Sequence, residues 1–358
     1  MIVKFILITV AAIIPLFLIS ASAGKSAEDY LRDFEQILPD SMGGLSEDGA
    51  IVERFGIEGV LSEILSSLNG EKGECLTFLL LLIGGVAVFS LASGCSQNFA
   101  RHTETGVGLV VSLSVFPTVS LALSSVVNSL DEIGSFFNAM TPIVVGVTAL
   151  GGGASTSAVQ ASGMYTSFTV IGSVGREFFV PIASFGLSIA TLSALGSPSA
   201  ISVGKGIKGI FTWLTGIFTT VITSVFALQS LVSSAADSAA MRTAKYMASG
   251  LIPIVGTAVS GALATLASGL SYAKSLIGGG AIAVIISLAI SPLVILLFYR
   301  FALTLASIFA ELVGATVPSK IYLSYRFVID MTVTVYTLSV IVYLFQIILF
   351  LRTEVALL

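Results

Sequence analysis

Carboxylates are distributed very unevenly along this chain of 358 residues, and their distribution decides which solvent the chain can face. Twelve of the twenty Asp and Glu residues lie between Lys25 and Glu74, and the remainder of the chain has only eight. Hydrophobic residues make up 55% of the sequence and charged residues 10%, whereas soluble domains carry roughly 25% charged residues. Such a chain cannot cover a folded surface with solvated groups, so its main solvent must be lipid. The sequence therefore predicts an all-α polytopic membrane protein.

The same composition excludes several classes of function. A net charge of −4 provides no basic face for nucleic acid, which we do not expect among the partners. His102 is the single histidine and there are two cysteines, too few for His-based catalysis or a zinc cluster. The G-x-x-x-x-G-K-[ST] phosphate loop is missing, which excludes ATP hydrolysis by that route. We therefore expect no enzymatic activity, no catalytic or metal-binding residues and no cofactor.

The first 23 residues have the pattern of a signal peptide. Lys4 provides a positive start, residues 5–19 are apolar, and a small-residue Ala-Ser-Ala motif ends at Ala23. We expect cleavage after Ala23, with an uncleaved signal anchor as the alternative. Both alternatives place the following residues outside the cytoplasm.

Residues 24–74 form the exported, acidic region that follows the signal. Apolar residues recur at helical spacing in 27–38 and in 51–68, and Pro39 lies between these two amphipathic patterns. Two interpretations stay open. The region is either a small helical hairpin that rests near the membrane or a docking surface for a partner outside it.

From Cys75 to the C-terminus the chain is a polytopic transmembrane domain. We predict about eight spans, because a helix needs roughly 20 apolar residues at ~1.5 Å per residue to cross the hydrocarbon core. Two other stretches, 154–175 and 301–316, are too polar or too short to cross alone and are expected to be re-entrant or interfacial. The predicted spans are 75–96, 105–128, 135–153, 178–195, 209–234, 250–272, 276–299 and 331–351.

The basic residues predict an orientation, because Lys and Arg accumulate in cytoplasmic loops. With residues 24–74 outside, eight spans leave more basic residues inside than outside, and counting 154–175 as a full span would invert every later segment. The inside set is Arg101, Arg176, Arg242, Lys245, Arg300, Lys320 and Arg326, and the outside set is Lys205, Lys208, Lys274 and Arg352.

Prolines inside the apolar segments are predicted helix breaks. Pro142, Pro181 and Pro253 each precede an isoleucine in a Gly- and Ser-rich segment, and Pro292 lies in a further span. The similarity of the first three either marks an internal repeat of broken helices, as in transporter folds, or arises by chance in low-complexity sequence.

Ionisable residues near membrane depth are costly to bury and therefore mark candidate pathway or ion-pair sites. We expect Asp237 and Glu311 to face a pathway, while Arg326 and Asp330 are four residues apart and can pair on one helix face. Anchoring at the membrane interface is the alternative role. The full candidate set is Asp237, Arg242, Lys245, Glu311, Arg326 and Asp330.

Two stretches resemble a known family. Residues 236–246 read A-D-S-A-A-M-R-T-A-K-Y, and residues 252–256 read I-P-I-V-G. Together with the signal, the acidic exported region and the spans, they resemble the stage III sporulation protein AE family of endospore-forming Firmicutes. The likeness covers about residues 90–355, and the exported region is similar only in character.

The resemblance implies a mother-cell membrane component of the apparatus that joins the mother cell to the engulfed forespore. It implies other stage III membrane and ring-forming proteins, a separate ATPase and a forespore protein as partners, and it is compatible with a homo-oligomer. The implied role is a channel, export-gate or scaffold subunit. A stand-alone secondary transporter with proline-broken helices is the alternative, and a third hypothesis is a structural anchor whose residues 24–74 recruit partners.

Overall fold

The computed structural model contains helices and no strands in the residues that it describes. These are residues 25–39, 62, 64–66, 69–70, 72–94, 100–151, 154–173, 180–193, 206, 209–220, 222–224, 226–227, 229 and 256–353. We label seven helices α1 (Ala27–Ile37), α2 (Lys72–Gly94), α3 (Ala100–Leu150), α4 (Ala154–Ser173), α5 (Val180–Ser193), α6 (Gly256–Leu312) and α7 (Thr316–Arg352). Residues 209–220 and 222–224 are also helical.

Four of these helices, α2, α3, α6 and α7, are long and apolar enough to cross a membrane, with mean hydropathies of 2.0 to 2.8 in their best windows. The helical membrane architecture is thereby confirmed in its coarse form. The count of eight spans stays a prediction. The signal sequence and most of the second amphipathic pattern lie outside the described residues.

Several predicted spans are joined into single helices. The predicted span 105–128 and residues 135–150 of the next predicted span are parts of α3, which has 51 residues and is about 77 Å long. Residues 301–312 are the last three turns of α6, a helix of 57 residues, so they are continuous with the predicted span 276–299. The re-entrant or interfacial placement of 301–316 stays a prediction. The reason for this continuity is that a single charge such as Arg300 lowers local hydropathy without interrupting the backbone hydrogen bonds, because arginine is a good helix former.

The prolines do not end the helices as predicted. Helix α3 continues through Pro142 and α6 continues through Pro292, so the breaks predicted at these two residues are corrected. Pro181 is the second residue of α5, in the first turn, where a proline is tolerated because that N–H has no helical partner. Pro253 lies outside the described residues.

Helix α7 runs through the bundle with α6 antiparallel and α3 parallel to it. The α6–α7 turn covers residues 313–315, and Gly314 has the positive φ of 78° that this turn requires. Ser112 and Ser129 of α3 contact Tyr325 and Tyr336 of α7 in the same order, which shows the parallel direction.

Helix α1 is packed against the long helices rather than standing apart from them. Its Tyr30 and Phe34 are buried, and the Phe34 ring lies edge-on to the Phe136 ring of α3 at 6.5 Å. A Cβ on Gly146 would lie 2.2 Å from the Tyr30 ring, so only glycine fits beneath Tyr30. Ser26 caps the helix through a reciprocal capping box with Asp29.

One end of the bundle contains Lys274, the C-terminal end of α7 and helix α1. Lys274 donates to the backbone carbonyl and the hydroxyl of Thr353, beside Arg352 at the end of α7. Helix α1 lies at the same end, because Gly134 and Phe137 of α3 are level with Tyr343 and α1 packs beyond them. Lys274, Arg352 and α1 therefore lie at one end of the bundle, and the side of the membrane predicted for them stays a prediction.

Candidate functional site

One face of α7 is a buried seam of hydroxyl- and amide-bearing side chains. Its residues recur every seven positions in two interleaved series, the a/d pattern of helix packing. All are at most 2% exposed, and seven of them are polar. We call this set the α7 seam: Tyr322, Ile329, Tyr336, Tyr343 and Phe350 in one series, and Tyr325, Thr332, Ser339 and Gln346 in the other.

The first contact of the seam joins α7 to α2. The Tyr322 hydroxyl donates to the Leu82 carbonyl at 2.7 Å. Gly85 makes this approach sterically possible, since a Cβ there would lie 2.9 Å from that hydroxyl and 3.1 Å from a Val111 methyl. Because Gly85 has no side chain, this position of α2 is where Tyr322 can bind.

The second contact joins three helices. The Tyr325 hydroxyl lies 2.9 Å from Ser112 Oγ and 3.0 Å from Thr191 Oγ1, and it donates to the Ser112 carbonyl at 3.1 Å. Ser112 belongs to α3 and Thr191 to α5, which otherwise has few polar side chains. Tyr325 thus holds α5 against the long helices by hydrogen bonding in an apolar surrounding, where such bonds direct helix association.

The third contact lies at Pro292 of α6. Proline lacks an N–H, so the Leu288 carbonyl four residues earlier loses its helical partner. Ser129 of α3 donates to that carbonyl at 3.0 Å, and Tyr336 of α7 lies 2.8 Å from Ser129 Oγ. Tyr336 also donates to the Ala289 carbonyl at 3.2 Å. The carbonyl freed by the proline is therefore satisfied by another helix, as membrane helices with internal prolines require, and Tyr336 binds the same turn of α6.

The fourth contact centres on Gln346. Its Nε2 lies 2.8 Å from Ser167 Oγ and 3.2 Å from both the Gly163 carbonyl and Gln229 Oε1, while its backbone carbonyl accepts from Gln160 at 3.2 Å. This contact fixes α4 and residue 229 against α7. Gln346 Oε1 is the buried side-chain oxygen without a partner in the described part of the chain.

Asp330 and Arg326, which were predicted to pair, do so, and a third residue joins them. Asp330 Oδ2 lies 3.6 Å from Arg326 Nε, and Asp330 Oδ1 lies 2.5 Å from Arg300 Nε. The three side chains are between a third and a half exposed. Two guanidinium groups share one carboxylate, so the cluster carries a net charge of +1.

Glu311 lies beside the α6–α7 turn. Its Oε1 accepts a hydrogen bond from Ser319 Oγ at 3.0 Å, and Ser319 is 3.1 Å from Ser307 Oγ. Glu311 itself is exposed. These contacts give Glu311 a role in holding the two helices together at their turn, and its predicted role in a pathway stays a prediction.

Three predicted site residues, Asp237, Arg242 and Lys245, lie outside the described residues. The α7 seam was missed in the sequence, although its seven-residue spacing is visible there once hydroxyl and amide residues are counted as core. Arg300 was missed as a partner of Asp330 because 30 residues separate them. Only the α6–α7 hairpin brings them together.

Comparison with known proteins decides the family. The family model of stage III sporulation protein AE matches residues 49–352. The chain belongs to this family. Stage III sporulation protein AE of Bacillus subtilis (strain 168) is 21% identical over 298 residues, which make up 81% of this chain and 75% of that protein. No solved structure shows a significant match to the chain.

Family membership confirms the resemblance drawn from residues 236–246 and 252–256, which both lie within the matched range. It supports a role in sporulation, and with the four apolar helices it supports a membrane location. The match includes helices α2 to α7 with their seam and begins after α1.

Proposed function

We propose that the protein is a membrane-embedded channel, export-gate or scaffold subunit of the sporulation complex that links mother cell and forespore. In this role it is needed for forespore development after engulfment. It lies in the mother-cell membrane that faces the forespore, with residues 24–74 extracytoplasmic. Family membership is the observation that carries the proposal.

The partners in this proposal are the lipid bilayer, the other stage III membrane and ring-forming proteins, and a separate ATPase. The sequence lacks a P-loop of its own, so energy for any transport comes from that ATPase. The protein acts without catalysis and can form a homo-oligomer within the complex.

The α7 seam supports a subunit of fixed shape. Hydroxyl and amide groups of α7 reach α2, α3, α4, α5 and α6, and each contact sets the position of one neighbour along α7. Interhelical hydrogen bonds in membrane proteins contribute about 0.6–2 kcal/mol each. In this bundle, the main effect of these hydrogen bonds is to select one arrangement of the helices among many arrangements with similar apolar contacts.

The alternative of a stand-alone secondary transporter rests on proline-broken helices around a midplane site. The structure weakens the argument from broken helices, since α6 continues through Pro292 and the freed Leu288 carbonyl is paired with Ser129. A transporter would also need an essential intramembrane carboxylate. Among the predicted site residues that the structure describes, the candidates for one are Asp330 and Glu311.

The test is deletion of the gene in the native organism, followed by complementation with the wild type or with variants. We expect forespores that finish engulfment and then shrink, with late forespore gene expression lost, and full rescue by the wild type. Normal spores after deletion would overturn the proposal. Rescue by Asp330→Asn and Glu311→Gln would favour a scaffold, whereas loss of function in variants that still reach the membrane and their partners would favour a coupled transporter.

Deletion of residues 24–74 behind an intact signal tests the third hypothesis, a structural anchor. An anchor that recruits its partners through this region would lose function with the spans retained. Full function of the shortened protein would rule that hypothesis out.

A further inference from the structure

The long helices are much longer than a bilayer is thick. The apolar parts of α3 and α6, Thr105–Leu150 and Ala267–Leu312, each have 46 residues and are about 69 Å long. The hydrocarbon core is about 30 Å thick, and a helix tilted by 40°, the upper end of the usual range, would still extend about 53 Å along the membrane normal. At least about 20 Å of each helix therefore lies outside the hydrocarbon.

Charged residues mark where the helices leave it. They lie just past the middle of α3, in the last quarter of α6, in the first half of α7 and at the start of α2, and all are exposed or half-exposed. The Phe78 and Tyr299 rings, 4.8 Å apart, set the first turns of α2 level with Arg300. Ser129, close to Asp131 and Glu132, contacts Tyr336 and the Leu288 carbonyl, which lie about 9 Å and 18 Å along their helices from Asp330 and Arg300, away from the α6–α7 turn. We call this set the charged belt: Lys72, Glu74, Asp131, Glu132, Arg300, Arg326 and Asp330.

Exposed large apolar side chains lie mainly on one side of the belt. They cover the outer faces of α2, the first half of α3 and the last turns of α6, with Leu121 and Leu312 at 68% and 80% exposure. We call this side the anchoring half; it extends from the belt to the α6–α7 turn. Its exposed large apolar residues on α2, α3, α6, α7 and the α6–α7 turn are Leu76, Leu80, Ile83, Val88, Leu91, Val110, Leu113, Phe116, Leu121, Phe301, Leu305, Ile308, Phe309, Leu312, Val313 and Leu323.

The other side of the belt, which we call the projecting half, is covered by protein instead. In α3, residues 133–150 expose one large apolar side chain, Leu150, because α1, α4, α6 and α7 pack around them. In α6, residues 267–296 expose only Tyr272 among large apolar residues. The exposed apolar residues of α7 in this half are Ile341, Phe345 and Ile348.

Helix α1 shows which half faces water. Tyr30 and Phe34 attach it to the projecting half at Gly146 and Phe136, while its outer face carries exposed Glu28, Arg32 and Glu35. An exposed salt bridge joins Lys25 to Asp33 at 2.5 Å. Hydrocarbon around α1 would strip water from all of these charges, which is very unfavourable.

We propose that only the anchoring half contacts the lipid acyl chains, and that the projecting half is a protein-filled extension of the bundle beyond the bilayer. It stands on the side occupied by residues 24–74. From Asp330 to the turn at Gly314 is about 24 Å and from Cys75 to Gly94 about 29 Å of helix, close to one hydrocarbon thickness. The segments 135–153 and 331–351 then stand above the membrane and do not cross it.

The experiment uses tryptophan fluorescence of the full-length protein in lipid vesicles. Trp213 is the single tryptophan, so Trp213→Phe provides a background for one new tryptophan at a time. The matched positions are Leu113 and Leu305 in the anchoring half and Ile341 and Ile348 in the projecting half, all between 42% and 62% exposed. Each variant is measured in phosphatidylcholine–phosphatidylglycerol vesicles with brominated acyl chains, and separately with acrylamide in the water.

We expect brominated lipid to quench the tryptophans at 113 and 305 several-fold more strongly than those at 341 and 348. Equal bromine quenching at all four positions, or stronger quenching at 341 and 348, would overturn the proposal. Weak quenching of 341 and 348 by both agents would mean that protein covers them, which agrees with their exclusion from lipid.

A second measurement covers the case in which Trp213→Phe does not fold. In a background with Cys75 and Cys95 replaced by Ser, Ser275→Cys probes the projecting half and Leu113→Cys the anchoring half. A membrane-impermeant maleimide should label Ser275→Cys in intact vesicles of one orientation and Leu113→Cys only after detergent is added. Labelling of Ser275→Cys only after detergent, in vesicles of both orientations, would contradict the proposal.

Discussion

Ser129 of α3 donates its hydroxyl to the Leu288 carbonyl of α6, 3.0 Å away. That carbonyl is the one that Pro292 deprives of its helical partner, so a proline in one helix and a serine in another form a matched pair. Tyr336 of α7 completes the junction at 2.8 Å from the same serine. Three long helices are thereby held at a defined register within an otherwise apolar core.

Removing the Ser129 hydroxyl should therefore destabilise the bundle. Ser129→Ala leaves the Leu288 carbonyl unpaired in a buried site, and we expect a loss of about 1–2 kcal/mol in unfolding free energy. Ser124→Ala is the matched control, since Ser124 is exposed and bonds only to Ser120 of its own helix. Thermal unfolding of the purified protein in detergent measures both, and equal midpoints for the two variants would contradict the role given to Ser129.

Helix α1 should be displaced by one methyl group on α3. In Gly146→Ala the new Cβ would lie 2.2 Å from Tyr30, so the ring must leave its site. We expect proteases to cut α1 at least several-fold faster in intact vesicles. Gly279→Ala is the control, because nothing lies within 4 Å of a Cβ there. Cleavage of α1 in Gly146→Ala at the same rate as in Gly279→Ala would contradict the clash.

Replacing Asp330 should reduce the amount of membrane-inserted protein more than replacing either arginine that it binds. Asp330→Asn leaves Arg300 and Arg326 facing each other without a counter-charge, whereas Arg300→Gln leaves the Arg326–Asp330 pair neutral. We expect the larger loss of membrane-inserted protein for Asp330→Asn and partial recovery in the double variant Arg300→Gln, Asp330→Asn. Because the side chains are partly exposed, the effect on unfolding should stay below about 1 kcal/mol if water reaches them. A fully additive double variant would mean that the two residues are not coupled.

Docking of α1 should depend on pH only at the extremes. The Ser26 backbone N–H and hydroxyl, which bind the Asp29 carboxylate, lower the pKa of Asp29 from its usual 3.8. The ionised Asp29 carboxylate therefore stabilises α1 above pH 3.8. This stabilisation is lost as the pH falls through the lower pKa that Asp29 has in the folded protein. The hydrogen bond to Asp33 raises the pKa of Lys25 above 10.5, so that contribution is present below pH 10.5 and is lost as the pH rises through the folded value.

Protease sensitivity of α1, measured as a function of pH with an enzyme active over a wide range, checks this expectation. It should be constant between roughly pH 5 and 9 and increase in stronger acid. In Ser26→Ala the acid-dependent step should shrink, because Asp29 then loses the hydroxyl contact. A transition near neutral pH would contradict this account and would point to a group other than Asp29 or Lys25.

The coarse architecture was accessible from the amino-acid sequence because it depends on composition and short-range periodicity. Few charges and long apolar stretches require a helical membrane protein, since lipid leaves backbone groups no partner outside the helix. The pair of Arg326 and Asp330 was also accessible, because helix geometry brings residues four apart together. Residues 236–246 and 252–256 were enough to indicate the family.

What the tertiary structure decided concerns partners that are far apart in sequence. Hydropathy could not distinguish two spans from one helix of 51 residues, because a charged residue such as Asp131 changes hydropathy without ending a helix. Pro292 was predicted to break its helix because it is a proline inside an apolar span. The residue that pairs with the freed Leu288 carbonyl, Ser129, is 163 positions before Pro292, and only packing brings the two helices together. Local sequence therefore determined which residues are helical and apolar, and long-range packing decided where the helices continue and which polar groups meet.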